Sequence, residues 1–130
     1  LKVNTMLEYK FAGLPDNINV QCDIDIPDNL DMDMGDLGVI IGNLLDNSIN
    51  AVKKIDEGAY INVVMKYSAE SLFITIKNSY IEDNTIKSAV YYIDHGRGIK
   101  NVKRLVDKYR GSYSDTKENG VYTTNLSISI

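Results

Sequence analysis

Asn43-Leu44-Leu45-Asp46-Asn47-Ser48-Ile49-Asn50 is the stretch on which the fold turns. Around it, apolar residues recur at Leu37, Ile40, Ile41, Leu44, Leu45, Ile49 and Val52, the spacing of an amphipathic helix. Asn43, Asn47 and Asn50 stand at i, i+4 and i+7, so their side chains share one stripe of that helix. A solvated stripe usually carries Lys and Glu, because Asn is a mediocre helix former. A row of carboxamides beside an apolar face suits a polar ligand and a metal instead. The Asn oxygen is a neutral, hard ligand, and magnesium takes oxygen ligands together with waters and substrate phosphates. Asn47 is the residue expected to supply that oxygen.

Working outward, the helix is expected to run from a cap at Asp36 to about Ile55, with Gly58 beyond it as a stop signal. Before it, Leu1 to Phe11 reads as the end of a helix closed by Gly13 and Pro15. Ile18, Val20, Cys22, Ile24 and Ile26 alternate as a strand, which makes Cys22 a small buried hydrophobe. After it come two strands, Tyr60 to Tyr67 and Ser71 to Asn78. Ser79 to Asp94 has no clean period and reads as a long functional loop. A second helix is expected from Ile99 to Tyr109, with Val102, Leu105 and Val106 buried. Gly111 to Thr116 and Val121 to Ile130 close the chain as a hairpin, turning at Glu118-Asn119-Gly120. Helices on one face of a mixed, largely antiparallel sheet make an α+β sandwich of two layers.

Composition sets bounds on function. At 130 residues, 44% of them hydrophobic, the chain forms one domain with a real core. The single cysteine rules out an internal disulfide and fits a reducing compartment. No apolar run approaches membrane-spanning length. Opening on Leu1, the sequence reads as a piece of a longer chain. The net charge of −4 argues against nucleic acid as a partner. Arg97, Lys100, Lys103, Arg104, Lys108 and Arg110 nevertheless cluster, opposed only by Asp107, and suit a small anion.

That cluster begins in His95-Gly96-Arg97-Gly98-Ile99-Lys100-Asn101-Val102. Glycines ahead of a helix let backbone N–H groups approach a phosphate, and the helix N-terminus favours negative charge. Arg97 and Lys100 would add charge-assisted bonds. Taken alone, the motif matches any loop-to-helix junction. His95, the only histidine, reads on its own as a hydrogen-bonded loop residue.

Together, in this order, the two motifs resemble the ATP-binding catalytic domain of sensor histidine kinases, which has the Bergerat-type GHKL fold shared with gyrase-like ATPases. Asn43 to Ile49 resembles the N box, and His95 to Val102 the second glycine box. The resemblance implies a domain covering residues 1–130, with 1–12 as a link from a dimerisation domain. It implies ATP and Mg2+ as cofactors and Asn47 as the metal ligand. Asn43, Asn47, Asn50, Asn78, His95, Gly96, Arg97, Gly98, Ile99 and Lys100 would be the ATP-binding set, with Ser79 to Asp94 as a lid. The first glycine box is missing: Asn78-Ser79-Tyr80-Ile81-Glu82 follows the strand, and Asn78 stands in for the aspartate that contacts adenine. Asn43 stands where gyrase-like relatives place a glutamate that activates water. A carboxamide does not titrate in the useful range and cannot act as that base.

The γ-phosphoryl group would therefore pass to a histidine on a separate dimerisation domain, and this piece alone would not label itself. The further expectations are a response regulator as partner, a membrane-anchored homodimer as the full-length protein and a cytoplasmic location for this domain. Asp-Asn-Ser-Ile and His-Gly-x-Gly resemble the quorum-sensing, peptide-pheromone receptor subgroup. The competing expectation is a degenerate module that docks partners through the basic helix.

Overall fold

The computed structural model describes the backbone of residues 2–82 and 87–130, and the side chains of 3–82 and 97–130. Among them the elements run α1 (Lys2–Phe11), β1 (Asn19–Asp25), α2 (Met34–Val52), β2 (Tyr60–Ser68), β3 (Ser71–Ser79), α3 (Lys87–Lys108), β4 (Ser112–Glu118) and β5 (Val121–Ser129). The strands form one sheet in the order β1-β2-β3-β5-β4. β1 and β2 are parallel, so the chain needs a long crossover between them, and α2 is that crossover. The other pairs are antiparallel. The expected two-layer α+β sandwich is the fold observed.

Strand alternation builds the core. Ile61, Val63 and Met65 of β2, Leu72, Ile74 and Ile76 of β3, and Leu126 and Ile128 of β5 face the helices and are buried. Leu37, Ile40, Ile41, Leu44, Leu45, Ile49 and Val52 of α2 meet them. α1 crosses α2 over glycines: the Met6 methyl lies 3.6 Å from where a Gly38 Cβ would be, and the Lys10 Cε 3.8 Å from that of Gly42. Lys10 then pairs with Asp46 at 2.7 Å. The β4–β5 turn carries Asn119 and Gly120 at positive φ, as the hairpin chemistry requires.

Four local expectations are corrected. The cap of α2 is Asp33, whose Oδ1 accepts the Asp36 N–H at 3.0 Å. Asp36, one turn in, is held instead by Lys108 and Tyr109. Cys22 is exposed. β1 is an edge strand with one neighbour, so its inward-facing Val20 and Ile24 are only half-buried and the cysteine between them reaches solvent. The connection after β3 is shorter than the expected Ser79 to Asp94 loop, because α3 already begins at Lys87; residues 83–86 of that loop lie outside those described. Finally, α3 does not start at Ile99. It runs through Gly96 and Gly98, so the glycine motif is inside a helix and not at its N-terminus.

Candidate functional site

Buried polar side chains are the informative exception in a core. Among the described residues there are four: Asn47, Ser48, Asn78 and Thr124. Asn47 and Ser48 come from α2, Asn78 from the end of β3, and Thr124 from β5. The Ser48 hydroxyl donates to Asn78 Oδ1 at 2.9 Å, which ties the middle of α2 to the sheet. Asn78 Nδ2 donates to the Ser79 carbonyl at 2.9 Å. That carbonyl can only accept, so it fixes which end of the carboxamide faces α2: the oxygen. Tyr122 is directly opposite Asn78 on β5.

Asn47 differs from Asn78. It is 9% exposed, and its carboxamide has no hydrogen-bond partner among the described residues. A buried amide left unpaired costs about 1–3 kcal/mol. Asn43, one turn earlier, donates to the Val39 carbonyl at 2.9 Å. Its Oδ1 lies against Gly98, 3.0 Å from where a Cβ would stand. α2 and the glycine motif therefore meet at Asn43 and Gly98.

The remaining expected residues spread out. Asn50 is exposed on α2, and Arg97 and Lys100 are exposed on α3, with Ile99 half-buried. Gly96 lies within α3. The side chain of His95 lies outside the described residues. The described residues contain no group of three or more His, Cys, Asp or Glu able to hold a metal ion. Next to the site, Asp115 Oδ2 accepts from the hydroxyls of Tyr113 at 2.8 Å and Tyr122 at 3.0 Å. Burial pushes both phenols above their usual pKa, which keeps them neutral donors. The Lys117 ammonium lies 5.2 Å from the Tyr122 ring centre and 5.9 Å from that of Tyr80.

Ser48 and Thr124 were not among the residues picked out from sequence. Ser48 did leave a signal: it is a hydroxyl within the apolar run of α2, between Leu45 and Val52. Thr124 left none, since threonine is ordinary in a strand.

A mixed five-stranded sheet with helices packed on one face defines the class as a two-layer α+β domain. The model of the GHKL domain matches residues 32–129, and the chain belongs to that family. Its fold is that of histidine kinase catalytic domains. The catalytic domain of histidine kinase ThkA, in a nucleotide-free form, superimposes with a TM-score of 0.71 at 15% identity, covering 99% of this chain and 92% of that one. The blue-light activated histidine kinase of Erythrobacter litoralis gives 0.76 at 15% identity, covering 98% of this chain and 40% of that one. A histidine kinase from Burkholderia phymatum gives 0.75 at 12%, covering 98% and 66%. None of the curated proteins matches the chain in sequence.

Proposed function

We propose that this domain binds Mg–ATP between α2 and the sheet and presents the γ-phosphoryl group to a histidine on a separate dimerisation domain. The observation that carries the reading is the buried, unpartnered carboxamide of Asn47, set beside the junction of Asn43 with Gly98. A single neutral oxygen fits a metal that shares its sphere with phosphates and waters. Bound there, Mg2+ would supply charge neutralisation to the phosphates.

The chain's own residues do the rest by position. Asn78 offers an acceptor to the adenine amine, held by Ser48 and the Ser79 carbonyl. Asn50, Arg97 and Lys100 assist at the phosphate side with Ile99 and the backbone near Gly96 and Gly98, and His95 flanks them. Asn43 has no proton to take or give near neutrality, so water is not activated and ATP is kept for transfer. Transfer then depends on alignment of the two domains. In the wider scheme the phosphoryl group moves on to a response regulator. The domain works in the cytoplasm as part of a membrane-anchored homodimer, of the peptide-pheromone receptor type.

Titration with a fluorescent ATP analogue tests this directly. Saturable binding that strengthens with magnesium is expected, and Asn47→Ala should lose the magnesium-dependent part. No binding at millimolar nucleotide would sink the proposal.

A further inference from the structure

From Asp23 to Met34, between the middle of β1 and the start of α2, acids and apolar residues nearly alternate. The acids are exposed. Ile24, Ile26, Leu30, Met32 and Met34 pack against the core, yet every one of them is only half-buried. On the neighbouring β2, Ile61, Val63 and Met65 are sealed. The difference is a gap in the helix layer. α1 packs on α2, with Met6 against Gly38 and Lys10 on Asp46, and makes no close backbone approach to β1. Between α1 and β1 lies an open cavity of about 390 Å³, lined by Val3, Ile24, Ile26, Leu30 and Met34, with Asp28 in its wall. Apolar burial is worth roughly 25 cal/mol per Å², and these side chains forgo part of it.

The surroundings of the cavity carry one sign of charge. From Phe11 to Val52 the sequence holds eight aspartates and neither lysine nor arginine. Asp23, Asp36 and Asp46 are paired with Lys66, Lys108 and Lys10, and Asp33 caps α2. Asp25, Asp28 and Asp31 are exposed, stand next to the lining residues in sequence and have no ion-pair partner among the described residues.

We infer that the cavity between α1 and β1 is the docking site for a basic amphipathic helix of a partner protein. Its apolar side chains enter beside Leu30 and Met34, and its lysines or arginines pair with Asp25, Asp28 and Asp31. The gap lies in a layer made of helices, so a helix completes it. An amphipathic helix laid into an apolar groove is a recurrent mode of recognition, and methionine adapts its shape to the guest. The unpaired carboxylates choose the sign of the guest, because an acidic helix would desolvate them against like charge. Met34 and Asn47 are thirteen residues apart on α2, about 20 Å along its axis. The docked helix therefore does not compete with a ligand at Asn47, and the inference stands apart from the ATP reading.

The probe is a synthetic leucine–lysine peptide of roughly 15 residues, long enough to hold a helix, with a leucine–glutamate peptide of the same pattern as its control. Titrated into the 15N-labelled 130-residue chain, the lysine peptide should shift amides in residues 3–7 and 20–36 and bind more weakly as salt rises. Leu30→Lys places a like charge on the cavity floor and should weaken binding at least about tenfold. Asp28→Asn combined with Asp31→Asn should weaken it about threefold to tenfold and flatten the salt dependence. That double variant alters no buried group, so it decides the matter even if Leu30→Lys fails to fold. Equal binding of the glutamate peptide, shifts centred elsewhere, an unchanged affinity in the double variant, or no binding of either peptide would overturn the inference. So would dimerisation of the chain that Leu30→Lys abolishes, read by sedimentation, which would give the groove to a second copy.

Discussion

α2 and α3 lie side by side against the same sheet, and each carries one of the two motifs, yet the motif of α2 falls inside its buried run and that of α3 comes before the described buried residues. α2 is capped at its first turn by Asp33 and buried at regular intervals from Leu37 to Val52. Asn47 and Ser48 sit within that buried run, so the helix that carries them has no freedom to shift. Among the described side chains of α3, Val102, Leu105 and Val106 are buried, and the glycine motif lies just before them. The metal ligand proposed at Asn47 would thus be held in place by packing around it.

The strongest way to break this contrast is to loosen α2. Leu45 is fully buried, and Leu45→Ala should cost about 2–5 kcal/mol, through lost burial and the cavity left behind. Urea unfolding measures it. A loss below about 1 kcal/mol would mean that α2 is not the fixed partner of the pair.

The sequence shows α2 clearly and α3 poorly, for the same physical reason. Apolar residues at helical spacing record packing, and α2 is packed along its length, so the helix and its buried face were legible, although both ends were read about three residues late. The buried face of α3 was legible at Val102, Leu105 and Val106. Among Lys87 to Gly98 no clean period stands out, and the glycines there spoke for a loop. Edge position is also silent: Cys22 alternates with apolar residues, but the strand order that exposes it comes from the whole sheet. The contact between Ser48 and Asn78 spans two elements and is a product of register, which no local pattern encodes.

The next prediction sharpens the comparison at the helix starts. Asp33→Ala removes the side-chain acceptor for the Asp36 N–H and should cost about 1 kcal/mol. Asp33→Asn keeps an acceptor and should restore most of it. Thermal melts of the three proteins decide the point. An equal loss in both variants would show that the cap is not what fixes the start of α2.

The smallest effect is expected where the two helices are pinned together. Asp36 Oδ2 accepts from the Lys108 ammonium at 2.7 Å and from the Tyr109 hydroxyl at 2.6 Å, which joins the first turn of α2 to the end of α3. The hydrogen bond from Lys108, followed by that from Tyr109, holds the Asp36 carboxyl below its ordinary range. A carboxylate whose pKa is lowered by folding stabilises the native state above its unfolded value, about 3.9 for aspartate. That contribution fades as pH falls through the lowered native value. Asp36→Asn should therefore unfold at a lower urea concentration than the original chain at pH 6, and the gap should narrow at pH 3. A gap of constant width would assign the loss to packing and not to the ionised group.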